Sequence, residues 1–358
     1  MFGKHLQLAR KKAGYSLRGL SYALDSEVTA QAIGKYERGE MMPRSSVLIH
    51  LASALGVSLE YLLSERVETL KLPEFRKHSG MSAGDRARVE AAVIDGLQRY
   101  FAIEEILSGD SGVSKAPRLG NRWLEHEDDS EVLAQDLRRK WQIGIDPIPN
   151  MTALLEDRGI KVLMMPLPDR VSGLTCFVYR PRQKIRIPVI VVNAHVSQEK
   201  RRFTLAYELA HQLIDKTSPV NREKASDIFA GAFLMPKDHL MRAIGEQRKA
   251  LCYRELIQIK RIYRVSAATL LARLKQVGII NQSTFDYAFR TVARGWRKRE
   301  PESLKGNHEV PQRFERLCYW ALAEKLIDPG KACELLQKPL ADIEKELKGP
   351  VRGDANSS

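Results

Sequence analysis

Residues Tyr207-Glu208-Leu209-Ala210-His211 hold a glutamate and a histidine at the spacing of a metallohydrolase helix. In an H-E-x-x-H helix two imidazoles stand one turn apart on one face and share a zinc ion, while the glutamate is general base toward the zinc-bound water. Here the first position is a tyrosine. Its phenol, with a reference pKa of ~10, ligates zinc only after losing its proton, whereas imidazole offers a neutral nitrogen. Twelve residues past His211, Glu223 offers a carboxylate as third ligand. Asp227, four residues further, falls on the same helical face and is suited to orient a ligand. The pattern predicts Glu208 as the base of an active site, Tyr207, His211 and Glu223 as metal ligands where metal binds, and zinc that is weak or absent because of Tyr207. His195 and His239 are candidates for the missing ligand, although lone histidines are usually structural or solvent-facing.

The elements that must position these residues alternate in pattern. LAQDLRRKW and MTALLEDRG read as helices, and IKVLMMPL, TCFVYR and VIVVN as strands. Residues 198–214 are apolar on most sides and predict a buried helix, and NREKASDIFAGAFLMP predicts a second one ended by Pro236. PVIVVNAHVSQEKRRFTLAYELAHQLI followed by EKASDIFAGAFLMP resembles the ImmA/IrrE family of zinc metallopeptidases, in which RFTLAHELGH and E-x-x-A-N-x-FA-x-x-LMP are typical. The similarity runs from about residue 136 to 240. It implies a peptidase fold and, for members fused or paired with repressor-type domains, cleavage of such repressors under stress or during induction of mobile elements.

A different chemistry is written into residues 1–65. Apolar positions recur at three- and four-residue spacing in four short runs, among them Leu17, Leu20 and Leu24, then Ile33 and Tyr36, then Leu48, Leu51 and Leu55. Ser16 and Thr29 are candidate N-caps for the second and third runs, Gly39 is a stop, and a fifth helix starts after Ser58. SLRGLSYAL, TAQAIGKYERGEMMP and LIHLASALGVSLEYLL resemble the Cro/repressor-type (XRE) helix-turn-helix, a compact helical domain whose third helix enters the major groove. DSEV at 25–28 makes the turn about two residues longer than is usual in that family. The resemblance implies that Thr29, Ala30, Gln31 and Lys35 project toward bases, with Gln31 suited to adenine and Lys35 to guanine. Arg18 and Arg38 are placed for phosphates, and Glu37 reads as structural.

Between these regions, residues 66–130 predict one long amphipathic helix, with Val89, Val93, Leu97, Tyr100 and Ile103 on its stripe, followed by a Ser/Gly/Pro-rich linker at 108–122. That stripe could pair two copies or dock on the next domain. The organisation expected is multi-domain and mainly α: a helix-turn-helix head at 1–65, the connector at 66–130, an α+β metallopeptidase-like core at 131–245, and a helical C-terminal region at 246–358. In that last region LIQIKRIYRVSAATLLARLKQVGII, with Ser266 capping its second helix, resembles the helical segment that follows the peptidase core in the ImmA/IrrE family and reads as a packing helix pair, although it looks superficially like another helix-turn-helix. Its downstream part, from Gly295, resembles the C-terminal extension of long proteins that combine both domains, and VRGDANSS reads as a frayed tail.

The net charge is +14 over 358 residues. Residues 180–306 contain 26 Lys/Arg against 11 Asp/Glu, a net of 26 − 11 = +15, so the surplus lies around the core and not in the head. Arg297, Lys298 and Arg299 exemplify a basic surface that could face a polyanion or be merely solvated. No segment is apolar enough for a membrane span, the start lacks the form of a signal peptide, and the four cysteines have no C-x-x-C pair, which together point to a soluble cytoplasmic protein. Three functions remain open. One is a DNA-binding regulator, a repressor, with a peptidase-like sensor or partner-binding domain, a homodimer on a double-stranded operator. The second is an active zinc endopeptidase that cleaves a repressor. The third is an antitoxin-like autorepressor that binds a toxin.

Overall fold

A computed structural model of the chain describes residues 2–63, 81–108, 119–180, 185–296 and 298–348. Most of the Ser/Gly/Pro-rich stretch at 108–122, Arg297 and the C-terminal tail lie outside the described residues. Among those described, the architecture is multi-domain and mainly α, with one three-stranded sheet.

Five helices form the head: α1 (Phe2–Lys12), α2 (Leu17–Ala23), α3 (Ala30–Arg38), α4 (Ser45–Leu55) and α5 (Leu59–Leu63). Ser16 Oγ accepts from the amide of Gly19 at 2.9 Å, Thr29 Oγ1 from that of Ala32 at 3.2 Å, and Ser58 Oγ from that of Tyr61 at 3.0 Å. Each hydroxyl satisfies an amide that the helix start leaves without a carbonyl. Gly39, at φ +75°, ends α3 in the left-handed region that a side chain adopts only at a cost. Leu6, Leu20, Ile33, Leu51 and Leu62 are wholly enclosed and make the core of this unit.

Next comes α6 (Ala83–Ser108), a helix of 26 residues. Its stripe is buried inside the same chain. Val89, Val93, Leu97 and Phe101 lie against the sheet, and Tyr100 and Ile103 against the C-terminal helices. The head docks on it as well: Lys12 Nζ is 2.7 Å from Asp95 Oδ2, and Arg99 Nη2 is 3.3 Å from the same oxygen. Of the two roles the stripe could play, docking within the chain is the one observed.

The core contains α7 (Asp129–Lys140), α8 (Met151–Asp157), β1 (Lys161–Met165), β2 (Gly173–Arg180), β3 (Ile185–Asn193), α9 (Gln198–Leu213), α10 (Arg222–Leu234) and α11 (Lys237–Ile244). Strand order is β1-β3-β2, with β1 parallel and β2 antiparallel to β3; Lys161 is opposite Val189, and Gly173 opposite Val192. Alternation along β3 divides its side chains between two layers. Ile190 and Val192 join the core with α9 and α10, whereas Val189 and Val191 face α6.

The helices α12 (Tyr253–Tyr263), α13 (Ala267–Gln276) and α14 (Gln282–Arg290) extend the α9–α10 core. A final trio, α15 (Arg313–Ala323), α16 (Pro329–Leu336) and α17 (Leu340–Lys348), closes over α6. Two buried cations fasten the segment between α14 and α15. Lys260 Nζ donates to Glu199 Oε1 at 3.2 Å and Glu300 Oε1 at 2.7 Å, and Arg202 Nη1 to Glu309 Oε1 at 2.5 Å. Glu309 also accepts from the amides of Met151 and Thr152 at 3.1 and 2.8 Å, which supplies α8 with an N-terminal carboxylate from a segment distant in sequence.

Candidate functional site

In the head, the elongated turn between α2 and α3 is accommodated by two residues in the left-handed region, Asp25 at φ +50° and Ser26 at φ +61°. Aspartate tolerates that region better than most side chains. Ser21 Oγ donates to the carbonyl of Val28 at 2.6 Å and Val28 is buried, so the longer turn returns the chain to the same core. α3 is then locked against α1. Arg10 donates through Nε and Nη2 to the two oxygens of Glu37 at 2.5 and 2.9 Å, and a Cβ on Gly3 would meet the carbonyls of Tyr36 and Glu37 at 2.4 Å. A bidentate guanidinium–carboxylate pair fixes orientation as well as distance. Ile33 and Tyr36 are buried, Ala30 is half-buried, and Thr29, Gln31 and Lys35 are exposed along the start and outer face of α3. Arg18 is exposed on α2, whereas the exposed Arg38 is paired with Glu40 at 2.5 Å and must exchange that partner to reach a phosphate.

In the core, α9 begins at Ser197, whose Oγ accepts from the amide of Lys200 at 3.3 Å, and runs buried between the sheet and α10. The one-turn spacing brings Tyr207 and His211 together, their ring centroids 4.6 Å apart and their planes at 88°. Glu223, from the first turn of α10, completes a cluster: Tyr207 Oη donates to Glu223 Oε2, and His211 Nε2 is 3.9 Å from that same oxygen. Arg222 Nη2 donates to the His211 carbonyl at 3.0 Å and holds the two helices in this relation.

Asp227 does not take the orienting position expected of it. His211 Nδ1 has Ser226 Oγ at 3.0 Å, one residue earlier on α10 and fully buried, while Asp227 is exposed as a residue. Partial enclosure, and then the charge of Glu223, raise the Asp227 carboxyl above its ordinary pKa. Of the proposed substitute ligands, His195 is exposed and His239 is engaged with Tyr263 Oη at 2.6 Å.

Glu208 is buried against β2. A Cβ on Gly173 would stand 2.4 Å from Thr204 Cγ2 and 3.5 Å from Glu208 Cγ, so the glycine is what lets the strand approach the helix at this point. The enclosed Cys176 thiol on the same strand is pushed up to about 12, by burial first and then by Glu208. Sequence reasoning passed over Gly173 and Ser226. Their signals in the sequence are a glycine opening a β-rich segment and a hydroxyl directly preceding Asp227.

The donor set departs from that of a zinc peptidase at one position, Tyr207. In the usual centre of such peptidases two neutral imidazoles and a carboxylate leave a fourth position for water. Here there is one imidazole, and the carboxylate oxygen nearest to it accepts the Tyr207 proton.

Two family models match the chain, a helix-turn-helix domain over residues 6–62 and an IrrE N-terminal-like domain, of the M78 peptidase family, over residues 155–275. The chain joins a helix-turn-helix head to an IrrE-like domain. A similar relative is the SPbeta prophage-derived uncharacterized HTH-type transcriptional regulator YonR of Bacillus subtilis (strain 168), 40% identical over 63 residues. That match covers 18% of this chain and 56% of the relative. The IrrE-like match includes both halves of the Tyr207–His211–Glu223 cluster, and the helix-turn-helix match includes every candidate base-reading residue. No described helix is long and apolar enough to cross a membrane.

Proposed function

We propose that the protein is a sequence-specific DNA-binding transcriptional regulator, acting as a repressor, whose IrrE-like domain serves as a metal-free sensor or partner-binding unit. In this reading the head comprises residues 1–65, the peptidase-like unit 131–245, and the helical C-terminal region 246–358. The observation that carries it is the face of α3: Gln31 and Lys35 stand exposed on a helix whose other side is fixed to α1 by Arg10 and Glu37. Its partner is a double-stranded operator. Two copies would match a two-fold operator, and since the α6 stripe is buried within the chain, their contact uses another surface. Duplexes selected from a random pool provide the test. Gln31→Ala combined with Lys35→Ala should abolish preference for the selected sequence; unchanged affinity and salt slope would remove the assignment.

The metal-free part rests on the contact between Tyr207 and Glu223. Wild-type protein should purify without zinc, and Tyr207→His should gain it. Stoichiometric zinc in the wild type, together with peptide cleavage that Glu208→Ala abolishes, would identify a zinc endopeptidase instead.

A further inference from the structure

We propose that a cavity beneath α14 binds a small amphiphilic acid, an apolar body bearing one carboxylate. The cavity has a volume of about 280 Å³, far more than the ~10–15 Å³ that admits a single water. Its floor is apolar: Leu256, Leu271 and Trp296 line it and are almost wholly enclosed. The mouth is apolar too, yet it faces solvent, with Tyr287 64% and Val292 47% exposed. Apolar walls that remain wet gain free energy when an apolar body displaces the water, and a concave pocket with a few polar groups is the usual form of a small-molecule site.

Charge decides the rest of the ligand. Lys249 lines the cavity, is exposed, and has no ion-pair partner among the described residues, although the adjacent Arg248 is paired with Glu255 at 2.6 Å. The Thr284 hydroxyl stands beside it and donates to the Lys249 carbonyl at 3.3 Å. Lys249 is the one charged residue of the lining; the segment that forms the mouth also carries Arg290, Arg294, Lys298 and Arg299, exposed but outside the lining, against a single acid, Asp286. The lining contains neither Asp nor Glu. A neutral apolar molecule would leave the Lys249 ammonium unmatched, and a nucleic acid would meet that charge without filling the floor. A molecule with an apolar body and a single carboxylate satisfies both.

This site does not depend on the DNA-binding reading, and its test contains no DNA. Calorimetric titration of the full chain with octanoate should show saturable one-to-one binding, and its neutral analogue 1-octanol should bind about tenfold or more weakly, a difference of ~1.4 kcal/mol. Lys249→Gln should weaken octanoate about tenfold and leave octanol unchanged, because only the charge has been removed. Val292→Glu, at an exposed position where folding is not at stake, should weaken octanoate by placing a like charge at the mouth. Failure of octanoate to saturate, equal binding of octanol, or octanoate binding indifferent to both variants would overturn the proposal.

Discussion

Two helix pairs in this chain follow nearly the same local rules and end in opposite roles. α2–α3 and α12–α13 each place a hydroxyl N-cap on the second helix, Thr29 and Ser266, whose oxygens accept from the amides three residues on at 3.2 and 3.1 Å. Past the cap they diverge. α3 keeps Gln31 and Lys35 exposed and buries only Ile33, Gly34 and Tyr36, whereas α13 buries Ala267, Leu270, Leu271, Arg273 and Leu274. Even the arginine of α13 is turned inward: Arg273 forms a two-pronged pair with Glu131 at 2.6 Å and donates to the carbonyl of Met235 at 3.0 Å. Caps and turns specify that a helix pair forms. Whether its second helix meets DNA or protein is decided by what its outer positions carry and by what arrives from elsewhere in the chain.

The largest test of this contrast is Arg273→Ala. Removing one partner of a buried pair should cost ~3–5 kcal/mol in urea unfolding, whereas Lys35→Ala should change stability by less than ~0.5 kcal/mol. A mild Arg273→Ala would mean that α13 is not held as a packing helix.

The next effect separates the units by pH. Glu156 is buried between α8 and the start of α15, accepts from the Arg313 amide at 3.4 Å, and is raised from 4.5 to about 7, chiefly by burial. The groups around it are Tyr100 and Glu104 on α6, Lys161 on β1 and Arg313 on α15. Its folded pKa exceeds the unfolded one, so its stabilising share is full below about pH 4.5 and is lost as pH rises through about 7. At ~1.4 kcal/mol per unit the change amounts to ~3 kcal/mol. Glu156→Gln should flatten the stability–pH curve of the core over that window; an unchanged curve would place the titration elsewhere.

Smaller effects complete the series. Gln31→Ala should lose ~1–3 kcal/mol of discrimination at one base position with folding intact, measured by titrating selected and substituted duplexes. Thr29→Ala and Ser266→Ala should each cost ~1 kcal/mol of stability, since the caps are the feature the two pairs share. Unequal cap costs would show that even this local similarity is superficial.

These contrasts also mark what could be read from the residues. Caps at Ser16, Thr29, Ser58 and Ser266, the three strands, and the one-turn spacing of Tyr207 and His211 depend on neighbours in sequence, and all appear in the structure. The partners of the charged residues were hidden. Arg202, Lys260 and Arg273 look like solvent-facing cations among the 26 basic residues of 180–306, yet each is buried on a carboxylate 61 to 142 positions away. Nothing local distinguishes such residues from Lys298 or Arg299, which stay exposed. The choice of Ser226 over Asp227 beside His211 is similar, because one position of helix rotation decides it and rotation is set by packing.

The burial of α6 bears on how this protein could be divided. The IrrE-like match starts at residue 155, long after α6 ends at Ser108. Yet Val89, Val93, Leu97 and Phe101 cover the sheet face formed by Leu174, Cys176, Val178, Val189 and Val191. A gene fragment bounded by the motif would therefore be born with one side of its sheet bare, prone to clump instead of folding. Adding residues 81–108 restores that cover, but the same helix then presents Tyr100 and Ile103, which ask for the C-terminal trio. By this logic everything from α6 onward folds as a single piece, and the head, docked on α6 through Lys12 and Asp95, loses part of its own support when cut from it.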